Sequence, residues 1–189
     1  MLPIFIFDEE ILSQLPKNDA RVTFIHSQLE KIQLELQKID KSLAVFHGKP
    51  LEIFEKLLSE NKITSVYTNH DYEPYARKRD KEMNQLFITN GISFLTSKDQ
   101  VIFEKSEVVK DDGTPYVVYT PYSKKWKENF RKIKLVHYNS EDKLDKITKH
   151  SYPFLSLADI GFEKSNIKVS PFDVSENLIQ NYEATRNFP

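Results

Sequence analysis

Ile63-Thr-Ser-Val-Tyr67, the bridge Asn69-His-Asp-Tyr-Glu73, a run from Pro74 through Met83, Leu86 and Phe87 to Asn90-Gly91, and Ile92-Ser-Phe-Leu95 decide the fold of this chain. The first and last pieces are short apolar runs rich in β-branched and aromatic residues, the pattern of strands. Between them the apolar residues recur at helical spacing. Pro74 fits a first helical turn, where its missing N–H costs nothing, and Gly91 supplies the left-handed residue that ends a helix. The stretch therefore reads strand, helix, strand.

The same alternation extends upstream. Leu2 to Phe7 is a continuous apolar run closed by Asp8-Glu9-Glu10, as expected of a parallel strand covered on both faces. Val22, Ile25, Leu29, Ile32, Leu36 and Ile39 form one helical stripe within Ala20 to Ile39, and Asp19 is placed to cap it. Leu43-Ala-Val-Phe46 is a strand halted by His47-Gly-Lys-Pro50, and Leu51 to Leu58 is a short amphipathic helix. Repeated βαβ units predict an α/β fold, a doubly wound and mostly parallel Rossmann-like sheet with helices on both faces. Ligands of such sheets sit beyond the carboxyl ends of the strands, here Asp8-Glu9, His47-Gly48 and Asn69 to Glu73.

After Leu95 the alternation stops. Asp111-Asp112-Gly113 predicts a tight turn leading into Pro115 to Tyr122, followed by a short helix at Lys124 to Glu128. From Lys124 to Lys149 nine Lys or Arg face four Asp or Glu in a stretch of little periodicity, which reads as an irregular linker. Ser156 to Phe162 and Ser175 to Tyr182 add short helical pieces.

Composition narrows the chemistry. Basic and acidic residues number 27 and 28, for a net charge of -1, so the overall charge selects no polyanionic partner. With no cysteine there are no disulfides, thiolate metal sites or cysteine nucleophiles, which fits a reducing, cytoplasmic setting. The apolar start lacks a basic leader and is too short to cross a bilayer. Four glycines form neither a Walker loop nor a dinucleotide fingerprint, and the five histidines show no metal-ligand spacing. Asp71 and Glu73 lie between a strand end and a helix start, where a carboxylate serves either as a cap or as an acceptor for a ligand ring. Arg77, Arg79 and Asp80 on the next turns read as an ion-pair cluster. The aromatic residues from Tyr116 to Trp126 are open to two readings, a stacking platform or a capped core edge.

In this order, Leu2-Pro-Ile-Phe-Ile-Phe-Asp8, Leu43-Ala-Val-Phe-His-Gly-Lys-Pro50, Asn69-His-Asp-Tyr-Glu-Pro-Tyr-Ala-Arg-Lys-Arg-Asp80 and Gly113-Thr-Pro-Tyr-Val-Val-Tyr-Thr-Pro-Tyr-Ser-Lys-Lys-Trp126 resemble the amino-terminal α/β part of the DNA photolyase/cryptochrome family. Leu155 to Phe162 and Tyr182 to Pro189 are similar to its interdomain connector. The resemblance implies an antenna domain over residues 1–130 and, over 131–189, a linker leading to an FAD-binding helical domain that lies beyond this chain. It implies an antenna pigment that absorbs blue or near-ultraviolet light and passes the excitation to FAD, which repairs pyrimidine dimers in DNA. On this reading DNA is bound through the helical domain, the full-length protein is a monomer without membrane contact, and this chain alone repairs nothing.

By the same resemblance Phe7, Asp8, Asp71, Glu73 and Tyr75 line the pigment pocket. Folate-type members tend to carry Asn-Glu where this chain has Tyr75-Ala76, which favours 8-hydroxy-5-deazaflavin or FMN over folate. One departure stands out: the family begins with a further strand and helix, so a central strand is expected to be missing and its neighbours unpartnered. A cryptochrome photoreceptor fragment and a stand-alone nucleotide-binding module are the alternatives.

Overall fold

Residues 1–134, 136–150, 152–167, 175–176 and 180–187 are described by the computed structural model. The order is β1 (Ile4–Asp8), α1 (Glu9–Leu12), α2 (Ala20–Lys38), β2 (Ala44–Gly48), α3 (Pro50–Glu60), β3 (Ser65–Asn69), α4 (Pro74–Thr89), β4 (Ser93–Ser97), α5 (Tyr119–Lys132) and α6 (Tyr182–Thr185). This is the expected α/β alternation. Each strand starts one or two residues later than the apolar pattern suggests and runs on into its polar end, so Asp8, Gly48 and Asn69 are themselves strand residues.

Local chemistry accounts for the boundaries. The Asp19 side chain accepts the Arg21 N–H at 2.8 Å and caps α2. Gly91, at φ 66°, closes α4: its N–H reaches Ile88 O at 3.1 Å while the Ile92 N–H reaches Phe87 O at 2.9 Å. The turn at Asp111–Gly113 is present, with the Gly113 N–H on Lys110 O at 2.9 Å. Helix α5 begins at Tyr119, earlier than the lysine-rich stretch suggests. Pro121 is tolerated there because N–H groups of a first turn have no intrahelical partner. Of the expected helical piece at Ser175 to Tyr182, residues 177–179 lie outside the described residues.

Among the described residues all pairing is parallel and forms two separate two-stranded sheets. β1 pairs with β2 from Ile4↔Ala44 to Asp8↔Gly48, and β3 pairs with β4 from Ser65↔Ser93 to Asn69↔Ser97. Alternation along the strands divides the core between two faces. On one face Phe7 and Val45 pack with Val22, Leu29 and Leu36 of α2. On the other, Ile4, Ile6, Phe46, Val66 and Phe94 pack on Phe54 and Leu57 of α3 and Met83 and Phe87 of α4. One layer, α3 and α4, therefore spans both strand pairs.

Handedness fixes how the pairs lie. A right-handed crossover through α2 carries the chain from β1 to β2, and crossovers on the opposite face carry it back past β1 to β3 and then to β4. The unpaired edges of β1 and β3 thus face each other across the α3/α4 layer. On the α2 side, Tyr67 and Leu95, adjacent in the β3–β4 register, are 72% and 45% exposed. Half of the α2 stripe, Ile25, Ile32 and Ile39, is likewise uncovered.

After α5 the described residues hold only short helical pieces, a 3-10 helix at Ser140–Lys146 and α6, and the segment is not free of the domain. Ile147, Ile160 and Phe162 are buried in the α2-side core. His26 Nε2 lies 2.8 Å from Leu155 O, and the Glu163 N–H donates to Lys17 O at 2.8 Å. Residues 154–163 form a strap across the start of α2.

Candidate functional site

The carboxyl ends of β1, β2 and β3 and the first turns of α1, α3 and α4 make one rim. Asp8, a buried carboxylate, closes β1. Its Oδ1 accepts the Glu10 N–H at 3.0 Å, capping α1, and its Oδ2 accepts the Tyr75 hydroxyl at 2.6 Å. Tyr75 stands on the first turn of α4, so this bond ties β1 to α4 across 67 residues of sequence. Burial and the Asp8 carboxylate, in that order, push the Tyr75 phenol well above its ordinary range and keep it protonated as a donor.

Beside this pair a cleft opens between the starts of α3 and α4, lined by Lys49, Lys78 and Arg79, by Glu10, Glu52 and Glu82, and by Leu51, Tyr75 and Met83. Three cations and three carboxylates meet there at the amino termini of two helices, over an apolar floor. Lys49 and Lys78 keep Glu52 and Glu82 only as loose partners at 3.7 and 4.0 Å. Arg79 holds Asp80 at 2.9 Å, the ion pair expected from the sequence.

Asp71 and Glu73 lie between the end of β3 and the start of α4, outside the cleft lining, in different roles. Asp71 Oδ1 accepts the Glu73 N–H at 3.1 Å and bends the chain into α4; the Glu73 side chain is exposed and caps nothing. Phe7 requires a correction: it is 3% exposed, edge-on to Phe5 at 5.0 Å, and belongs to the core under α2. The residue preceding a strand's terminal carboxylate points to the opposite face, so Phe7 turns from the cleft that Asp8 approaches.

A second polar cluster sits at the ends of β3 and β4. His70 Nδ1 lies 2.6 Å from Glu104 Oε1, and His70 Nε2 lies 2.8 Å from Thr96 Oγ1. Tyr72 donates its hydroxyl to the same Glu104 carboxylate. These donors, Tyr72 first and His70 next, hold Glu104 below its usual carboxylate range, while Tyr72 is pushed up to about 12 by burial and then by Glu104. The cluster pins loop 70–73 to the segment after β4. Glu104 lies outside every motif read from the sequence; Lys49 and Lys78 lie inside quoted segments but were not singled out as site residues. Among the described residues no group of three or more potential metal ligands occurs, and no helix is long and apolar enough to cross a membrane.

With the rim defined, comparison with known proteins places the chain. The family model for DNA photolyase matches residues 1–142, and the chain belongs to that family. A deoxyribodipyrimidine photo-lyase of Synechococcus sp. is 29% identical over 126 residues, 67% of this chain but 26% of the relative. Among solved structures, an archaeal photolyase from Sulfolobus tokodaii, described with two FAD molecules and a novel light-harvesting cofactor, aligns at TM-score 0.51 and 29% identity. That alignment covers 58% of this chain and 25% of the archaeal one. A class III photolyase from Agrobacterium tumefaciens shares the fold at TM-score 0.55 and 20% identity, over 97% of this chain and 35% of its own. The chain thus corresponds to the amino-terminal α/β domain of photolyases and spans about a quarter of the length of the Synechococcus photo-lyase.

Proposed function

We propose that this chain is the antenna domain of a deoxyribodipyrimidine photolyase, collecting blue or near-ultraviolet light for FAD-dependent repair of pyrimidine dimers in DNA. The observation that carries the reading is the rim of Asp8, Tyr75, Lys49, Lys78 and Arg79 at the carboxyl ends of the strands. The pigment supplies the absorption; the protein's task is to hold it flat, dry and fixed. Tyr75 and Leu51 present the apolar wall, the three cations take a phosphate or acidic tail, and Asp71 and Glu73 accept from the ring's N–H or O–H groups. A deazaflavin or FMN fits this set better than folate, since Tyr75-Ala76 stands where folate-type relatives tend to carry Asn-Glu. FAD, DNA binding and the repair step belong to a helical domain joined through the connector at 131–189.

The reading includes one more element of the sheet. A parallel strand between the facing edges of β1 and β3 joins the two pairs, and a helix after it, by right-handed crossover, lands on the α2 side over Tyr67, Leu95 and the Ile25–Ile32–Ile39 stripe. The uncovered apolar surface is found there.

The test is direct. The chain is purified with 8-hydroxy-5-deazaflavin, FMN or a folate, and its absorption and the fluorescence anisotropy of the pigment are recorded. Retention of deazaflavin or FMN, lost in Tyr75→Ala or Arg79→Gln, is expected; no retained pigment of any class removes the antenna role.

A further inference from the structure

At the end of the strands opposite the rim, a pocket of about 370 Å³ opens between the last turns of α2, the residues leading into β2 and the chain around His150. That volume suits a small molecule. Half-buried Tyr152 and Phe154 give it an aromatic wall, backed by Phe46, 5.1 Å from Tyr152, and by His26, 5.4 Å from Phe154.

The polar groups left over in this lining are donors. Ser42, 6% exposed, has no hydrogen bond from its hydroxyl among the described residues. Gln33 Oε1 accepts the Leu43 N–H at 2.7 Å, which leaves the amide N–H groups of Gln33 for a ligand. His150 Nδ1 accepts the Tyr152 N–H at 3.0 Å, so the ring proton sits on Nε2, which is buried without a partner. Burial, opposed by the Leu43 carbonyl, lowers the His150 pKa and keeps the ring neutral. Lys41 and Lys149 stand in the lining against one carboxylate, Asp40. Lys149 is paired with Asp40, whereas Lys41 donates only to Asp145 O at 3.1 Å, so the pocket keeps an excess of positive charge. The carboxyl end of α2 opposes an anion weakly, because the Ile39, Asp40 and Lys41 N–H groups already bond Leu36 O and Gln37 O.

We infer that this pocket binds the phosphate monoester of a small molecule carrying a flat ring. Lys41, the Ser42 hydroxyl and the Gln33 amide take the phosphate oxygens, one of which supplies the acceptor that His150 Nε2 lacks, and the ring lies on Tyr152 and Phe154. The three terminal oxygens of a phosphate serve this donor set better than the two of a carboxylate, and a metal cation finds few acceptors left. The inference is independent of the pigment reading, whose rim lies at the other ends of the strands.

The test is a titration of the isotope-labelled 189-residue chain with phenyl phosphate, inorganic phosphate and benzoate at low salt, followed by amide and histidine-ring shifts in NMR. Saturable shifts are expected at Ser42, Leu43, His150 and Tyr152, with phenyl phosphate binding tighter than inorganic phosphate and about tenfold tighter than benzoate. Ser42→Ala, with folding checked by circular dichroism, should weaken phenyl phosphate about tenfold, and Lys41→Gln, which leaves the core untouched, by a similar factor. No saturable shift at millimolar phenyl phosphate, shifts confined to the rim around Arg79, or unaltered binding in both variants overturns the proposal. Benzoate binding as tightly as phenyl phosphate overturns the choice of phosphate.

Discussion

The β1–β2 pair and the β3–β4 pair have the same length and the same parallel register, yet they are buried differently. The first lies between α2 and the strap on one face and α3 on the other, with Phe7 3% and Val45 2% exposed. Among the described residues the second packs on α3 and α4, with Tyr67 72% exposed on its other face. The difference shows that the α3/α4 layer, not a continuous ladder of hydrogen bonds, joins the two halves, so damage to that layer should be felt by both.

The largest effect is therefore expected at Phe87, fully buried, 5.1 Å from the Phe54 ring and 5.2 Å from Phe94. Phe87→Ala should cost about 3–5 kcal/mol in urea unfolding and remove protection of both strand pairs in hydrogen exchange. Loss of β3–β4 protection alone would show that the halves are independent. Ile160→Ala should cost about 2–5 kcal/mol, because Ile160 is 2% exposed in the α2-side core. A cost near zero would mean that the strap merely rests on the first half.

Tyr75→Phe tests the tie between halves at the rim. Removing the hydroxyl that donates to buried Asp8 should cost about 1.5–3 kcal/mol of thermal stability. The polar cluster of the second half should show in pH dependence. Glu104 titrates below its usual 4.5 when folded, so its stabilisation is present above pH 4.5 and fades as the pH falls through the folded value. Tyr72, raised from 10.0 to about 12, stabilises fully below pH 10.0 and loses that contribution as the pH climbs toward 12. Melting temperatures of Glu104→Gln and Tyr72→Phe across these windows should be flatter than those of the parent at the acid and alkaline ends respectively. The smallest effect is expected on the open face: Tyr67→Ser should change stability by no more than about 0.5 kcal/mol. A larger loss would reveal a cover over that face.

Much of the fold was legible because its signals are local. Apolar runs, the Asp19 cap, Pro74 at a helix start and Gly91 at a helix end each act within a few residues, and the strand–helix alternation follows from them. The rim was legible as a region for the same reason, since strand ends bring polar residues to one edge. The individual roles were less so. Asp71 bends its own loop while Glu73 stays free, and Phe7 goes to the core although its neighbour Asp8 goes to the site.

The sequence by itself determined the elements, their parallel arrangement and the family. Tertiary structure alone decided that Tyr75 meets Asp8 across 67 residues, that Glu104 joins His70 across 34, and that residues 154–163 hold down α2. The division of the sheet in two, by contrast, was expected from the family resemblance. Local propensities specify backbone conformation and which side of an element is apolar, whereas which distant surface covers that side is settled by packing, for which a linear pattern carries no address.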